Sequence, residues 1–357
     1  MTVSTMPDTA TVKGAARHAN PADSLRVFGI PLPQLRRLSI ITALVIAIIL
    51  PFYLGGFEVF QLTQVIYLSI AGLGLNLLTG YTGQFSLGHS AFMAVGAYTA
   101  GIMMEQWDVP YYLTIVPAGI VCFCAAFLFG LPALRLEGLY LALASFALAI
   151  AAPQLLKYEH FEGWTGGVQG LDLLKPDSPV TWLDNDQWYY FFSLFFGLIL
   201  IWCAWNLIRG RTGRAMIAIR DNPIAASTMG INLSIYKSVT FGVSGIYCGI
   251  AGALSAIVVE LIAPESFTFV FAILLLIGMV IGGLASIPAA IIGGAFILYV
   301  PNFSEMAVDY FFGGDPSSKA LVWVSFGVVM IIVVYIMPTG IAGFVKKTSM
   351  QFAVQKN

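Results

Sequence analysis

The side chains that could do chemistry are few, and their spacing excludes most of it. The chain has three histidines, His18, His89 and His160, too scattered to share a metal. Cys122, Cys124, Cys203 and Cys248 fall inside apolar runs without a ligand spacing and read as small packing residues. No nucleophile–base set and no phosphate loop is present, so no catalytic residue, no metal site and no enzyme activity are expected. No acid or base falls in the middle of an apolar run. Membrane carriers driven by protons hold such a charge at a cost, so its absence argues against proton coupling. Sodium coupling is weakened but stays open, because backbone carbonyls can bind sodium.

What remains is recognition, and it concentrates between Ile208 and Asn232. Arg209, Arg211, Arg214 and Arg220 crowd there with one acid, Asp221. Inside the stretch is a short helix signal. Asn222 can cap it, Pro223 suits its first position, and Gly230 can end it in the left-handed conformation. Ile224, Ala225, Ala226 and Met229 supply helix formers and an apolar face. A helix of about two turns cannot hold itself together in water, so it needs a surface to lie on. It is either a docking element for another protein or a connector resting on its own bundle.

A second polar piece, Thr79 to His89, contains Gly80, Gly83, Gln84, Ser86 and Gly88 but no full charge. Irregular backbone at membrane depth is tolerated where it is buried or lines a wet cavity. Ser86 is a candidate cap for the next helix, and His89 either lines a pathway or is packed. Further on, Thr165, Gly166 and Gly167 lie beside Trp164. They form either a flexible loop around an aromatic anchor, or a gate or docking site for an external partner.

The elements that position these pieces follow from composition. The 357 residues are 59% hydrophobic and 10% charged, against about 25% charged in soluble proteins. The apolar runs lack the period-two alternation of a barrel, so the expected fold is an all-α, polytopic transmembrane bundle. About ten spans (eight to ten) are read, at 38–54, 61–78, 91–104, 111–134, 139–156, 188–207, 236–259, 267–284, from the Ala285–Pro288 turn to about Val300, and 321–336. The counts around 79–104 and 267–300 are the loosest. Trp188, Tyr189 and Tyr190 read as an interfacial belt. Gly242, Gly245, Gly249 and Gly252, and the pair Gly278 and Gly282, stand at helical spacing and predict close helix packing.

Charge sets the orientation. With both termini in the cytoplasm, the inside segments hold 14 of 17 basic residues, all but Lys157, Lys175 and Lys319. The domain reading is then a flexible cytoplasmic tail at 1–37 and a transmembrane domain at 38–343, with a cytoplasmic tail at 344–357. Within the domain, 157–187 is a periplasmic loop and 208–235 a cytoplasmic loop. The first apolar run reads as an uncleaved anchor. The lipid bilayer is the expected surroundings and no nucleic-acid partner is expected; the net charge of −1 itself says nothing about nucleic acid. These features fit a transport subunit driven by a separate ATPase, and also a stand-alone channel or facilitator.

Four pieces carry a resemblance. They are Leu75-Asn76-Leu77-Leu78-Thr79-Gly80-Tyr81-Thr82-Gly83-Gln84-Phe85-Ser86-Leu87-Gly88-His89-Ser90-Ala91-Phe92 with Gly96-Ala97-Tyr98; Arg135-Leu136-Glu137-Gly138-Leu139-Tyr140; Thr165-Gly166-Gly167 with Gly170-Leu171; and Arg214-Ala215 through Ile224-Ala225-Ala226 to Met229-Gly230-Ile231-Asn232. In this order the chain resembles the permeases of branched-chain amino-acid ABC importers, LivM type, over roughly 68–343. It departs at Asn222-Pro223 and Ser227, where the family usually has acids. The resemblance implies a second related permease, two cytoplasmic ATPase subunits that hold the ATP and Mg, and a periplasmic substrate-binding protein, in the inner membrane. This chain would hold no cofactor. It implies ATPase coupling through Arg214, Pro223, Ile224, Ala225, Ala226, Met229 and Gly230. The candidate translocation path or gate is Gly83, Gln84, Ser86, His89, Thr165, Gly166 and Gly167. Branched-chain or other hydrophobic amino acids are the favoured substrates, with urea, amides or aromatic acids as the alternative.

Overall fold

The computed structural model describes residues 26–27, 30–133, 136, 138–174, 176–312, 319–337 and 340–344. The expected tails at 1–37 and 344–357 therefore fall largely outside the described residues. The chain divides into two units, Met1–Leu50 with Lys347–Asn357, and Pro51–Lys346. In the first, strands β1 (Arg26–Val27) and β2 (Ile30–Pro31) pair antiparallel ahead of helix α1 (Leu32–Ile49). Thus α1 begins six residues before the expected first span.

The second unit is a helical bundle. Its order is α2 (Gly56–Asn76), a π-helical turn (Leu77–Tyr81), α3 (His89–Trp107), α4 (Tyr111–Ala133) and α5 (Leu139–Leu156). The short α6 (Glu162–Thr165) and strand β3 (Leu171–Asp172) precede α7 (Asn185–Arg209), α8 (Arg211–Asp221) and α9 (Pro223–Thr228). Then come α10 (Leu233–Val259), strand β4 (Leu261–Ile262), α11 (Phe269–Gly282), α12 (Ile287–Phe312) and α13 (Lys319–Ile336). Strands β3 and β4 pair antiparallel.

Helices α2 and α10 form the centre. In each, 83% of the most apolar window is buried, against 22% in α5 and α7, which stand at the periphery. Helix α10 lies against α4, α3 and α2, and α2 also packs against α12, α7 and α11. Small residues allow this. A Cβ at Gly245 would come within 2.6 Å of Cys122 O on α4, and Gly242 faces the Phe123 ring at the same distance. Gly249 adjoins Ala118 and Cys122, while Gly252 turns toward Met93 and Ala97 on α3. The strip thus fills the crevice between two helices. Gly278 and Gly282 abut Ile297, Ala289 and Gly293 on α12.

The ten expected spans correspond to ten helices, α1 to α5, α7 and α10 to α13. Among the described residues, six helices are long and apolar enough to cross a membrane: those in α2, α4, α5, α7, α10 and α12. Leu38–Phe52, Phe269–Gly282 and Leu321–Val333 are apolar but shorter. Helix α3 has 19 residues but carries Ser90, Thr99, Glu105 and Gln106. Its polarity, not its length, sets it apart. The aromatic belt needs correction. Tyr189 and Tyr190 are buried, and Tyr189 OH donates to Pro176 O at 2.6 Å, so these rings anchor α7 within the protein.

Candidate functional site

The basic stretch folds as two helices. Helix α8 corrects the expected charged loop, because its sequence is amphipathic. Gly213, Ala215, Met216 and Ile219 are buried, while Arg211, Arg214 and Arg220 stay exposed. Arg214 Nη1 donates to Arg209 O at 3.1 Å, and Arg209 lies over the Trp205 ring at 4.3 Å. Asn222 Oδ1 then accepts from Ala225 N at 3.0 Å and starts α9, with Pro223 in its first turn. Gly230, at φ +83°, ends it. The small helix presents two faces. Ala226 is 4% exposed and seats it, whereas Ile224 is 77% and Met229 84% exposed. Ala225 and Gly230 are also exposed. Ile224 of α9 and Met229 just after it are therefore exposed rather than packed in the bundle.

Arg220 links this pair to the glycine-bearing piece. Its Nη1 donates to Gly80 O at 2.9 Å, and its Nε and Nη2 donate to Asp221 Oδ1 at 3.0 and 2.9 Å. Gly83, at φ +73°, lies against the Arg220 stem. Several backbone groups of the loop are paired. Gly83 N donates to Thr79 O, Gln84 N to Leu78 O, and Leu87 N to Ser145 Oγ on α5. Gln84 is buried, and its Nε2 has no hydrogen-bond partner among the described residues.

Ser86 does not cap α3. The N-cap is Gly88, and Ser86 Oγ instead accepts from Gly88 N at 3.3 Å and lies 3.2 Å from His89 Nδ1. His89 is buried, with its ring edge-on to Phe92. Its Nε2 meets Ser244 Oγ at 2.7 Å. Asn76 joins α2 to the turn before α12. Its Oδ1 accepts from Ala285 N, and its Nδ2 donates to Ser286 O, both at 2.8 Å. The roles of Asn76 and Ser244 were missed at the sequence level. The available signal was a polar side chain inside an apolar run.

Thr165, Gly166 and Gly167 lie at the opposite end of α3, which is roughly 28 Å long. Gln106, near the end of that helix, donates to Gly163 O at 2.9 Å. Thr165 Oγ is 2.7 Å from Leu156 O and accepts from Gly167 N at 3.3 Å. Gly166 and Gly167 have φ of +69° and +59°, and Gly166 packs on the Gly170 backbone. The structure does not bring this group together with Gly83, Gln84, Ser86 and His89.

Comparison with known proteins gives the class. The family model described as the branched-chain amino acid transport system permease component matches residues 59–334. The chain belongs to this family. The permease is 29% identical over 285 residues to the high-affinity branched-chain amino acid transport system permease protein LivM of Salmonella typhimurium, covering 74% of this chain and 67% of the relative. It is 29% identical over 299 residues to LivM of Escherichia coli, covering 77% and 69%. It is also 24% identical over 298 residues to the permease protein LivH of Escherichia coli, covering 77% and 91%. No solved structure matches. With its apolar helices, the permease is a multi-pass transmembrane transport protein of the LivM type.

Proposed function

We propose that this chain is a membrane permease subunit of an ATP-driven ABC importer that moves branched-chain or other hydrophobic amino acids across the bacterial inner membrane. The observation that carries the coupling half is α9, seated by Ala226 and presenting Ile224 and Met229 outward. Two large apolar side chains, one on this six-residue helix and one just past its end, form a small exposed surface, and they fit a groove on a cytoplasmic partner. The substrate half rests on relatives named as branched-chain amino acid permeases.

In this reading eight to ten helices span the membrane, both termini face the cytoplasm, and 157–187 lies outside. Relatives named LivM and LivH match the same chain, which supports pairing with a second, related permease. Two ATPase subunits, which hold the ATP and Mg, meet α8 and α9. A periplasmic binding protein meets the other face. The ATPase pair pulls differently on α9 in its open and closed states, and that difference shifts the bundle between outward and inward access. Arg214, Pro223, Ala225 and Gly230 shape this surface, and the residues near Gly83 and Thr165 are the proposed inner and outer ends of the path. Uptake into liposomes holding the full assembly tests the reading. Labelled leucine should accumulate only with ATP and binding protein. Downhill flux through this chain alone would replace it with a facilitator.

A further inference from the structure

Two sets of contacts meet at the Gly80 peptide. Gly80 lies in the π-helical turn that ends α2, among the last four carbonyls, which have no partner inside a helix. Leu78 O and Thr79 O accept from Gln84 N and Gly83 N, both at 3.2 Å. Gly80 O accepts instead from Arg220 Nη1, 140 positions away near the end of α8. The space where a Gly80 side chain would stand is closed by Asn76 Oδ1 and the Ala285 backbone. Asn76 itself holds Ala285 N and Ser286 O, both at 2.8 Å. Gly80 is thus in contact with α8 and with the turn between α11 and α12.

Arg220 is held for this contact. Asp221 Oδ1 takes its Nε and Nη2 at 3.0 and 2.9 Å, which orients the planar guanidinium and leaves Nη1 for Gly80. Its charge also suits the end of a helix, where the backbone is partly negative. Gly83 brings the loop to the Arg220 stem, and a Cβ there would lie 3.0 Å from Arg220 Cγ. Arg214 makes no such link. Its Nη1 bonds Arg209 O, within the same stretch. Arg220, Asp221 and Asn222 are consecutive, and Asn222 caps α9. The group that grips α2 and the group that starts the exposed helix therefore sit on one short segment, with no flexible linker between them.

We propose that Arg220 is a positioning residue for transport. It carries a displacement of α8 and α9 to Gly80, and through Asn76 to the turn at 283–286 from which α12 starts. The π-helical turn is the part that yields, because its wider spacing lets the carbonyls re-pair locally. This inference rests on the coupling role of α9 and adds a defined route from it into the bundle.

The test uses the full assembly in lipid nanodiscs, with and without ATP trapped by vanadate, read by amide exchange. The ratio of leucine taken up to ATP hydrolysed is read in liposomes. In the natural chain, trapped nucleotide should change exchange at both 222–231 and 283–287. Arg220→Met keeps the stem beside Gly83 and removes the donor. It should keep the ATPase and the response at 222–231, and lose the response at 283–287. The uptake-to-hydrolysis ratio should fall at least about fivefold, the lower end of typical coupling between two sites. Asp221 is 61% exposed, so Asp221→Ala should fold. It frees the guanidinium and should move both readouts the same way by less, which keeps the link measurable should Arg220→Met fail to assemble. An unchanged ratio and an unchanged 283–287 response in either variant overturns the proposal. A natural chain that responds at 222–231 but not at 283–287 also overturns it, and leaves coupling through α9 standing. No response at 222–231 removes both.

Discussion

His89 Nε2 lies 2.7 Å from Ser244 Oγ, and Ser244 Oγ lies 2.8 Å from Gly74 O. The second contact fixes the first. Gly74 O can only accept, so the Ser244 hydroxyl donates to it, and Ser244 must accept from His89 Nε2–H. Neutral His89 then leaves Nδ1 as an acceptor for Ser86, whose oxygen takes the Gly88 N–H. One chain of hydrogen bonds ties α3 to α10 and α2. Ser244→Ala removes the acceptor and strands a buried N–H, so it should cost about 1–3 kcal/mol of stability. Thermal unfolding in detergent reads this. An unchanged Tm would mean that the network contributes nothing.

Ala285 has φ +58°, a left-handed conformation that suits glycine better than alanine. Asn76 Oδ1 holds its N–H at 2.8 Å. Ala285→Gly keeps that bond and should raise stability by about 0.5–1 kcal/mol. Asn76→Ala removes both bonds to the turn and should lower stability by about 1–3 kcal/mol. Paired melting curves check the opposite signs.

Lys157 Nζ donates to Glu265 Oε1 at 2.9 Å, joining the end of α5 to the segment before α11. This contact lowers the Glu265 pKa from the ordinary 4.5. A carboxyl with a depressed folded pKa contributes stability that is present above pH 4.5 and lost as pH falls through the lower folded value. Glu265→Gln should therefore flatten the acid limb of the Tm-versus-pH curve. Because Glu265 is exposed, high salt should shrink the difference at neutral pH. A difference that persists below the carboxylate range would contradict this assignment.

Most of the bundle is legible from hydropathy, and 139–156 appears as α5 with the same bounds. The capping signals around Asn222 and Gly230 place α9 because they are local. Helix α8 was obscured by its arginines, although Gly213, Ala215, Met216 and Ile219 already had helical spacing. The partners of Asn76, His89 and Arg220 were not legible. Asn76 meets Ala285 across 209 positions, and His89 meets Ser244 across 155. Such contacts are set by helix packing, which local spacing does not encode.

The most direct measurement is a pull-down of the permease from solubilised native membranes, comparing the natural chain with Ile224→Glu/Met229→Glu. Both positions are exposed, so the variant should insert and fold. The natural chain should elute with an ATPase and a second permease. The variant should keep the second permease, lose the ATPase at least about tenfold and lose uptake, as expected when buried apolar anchors become charged. A variant that retains the ATPase and full uptake, or a natural chain that elutes alone, would contradict the account.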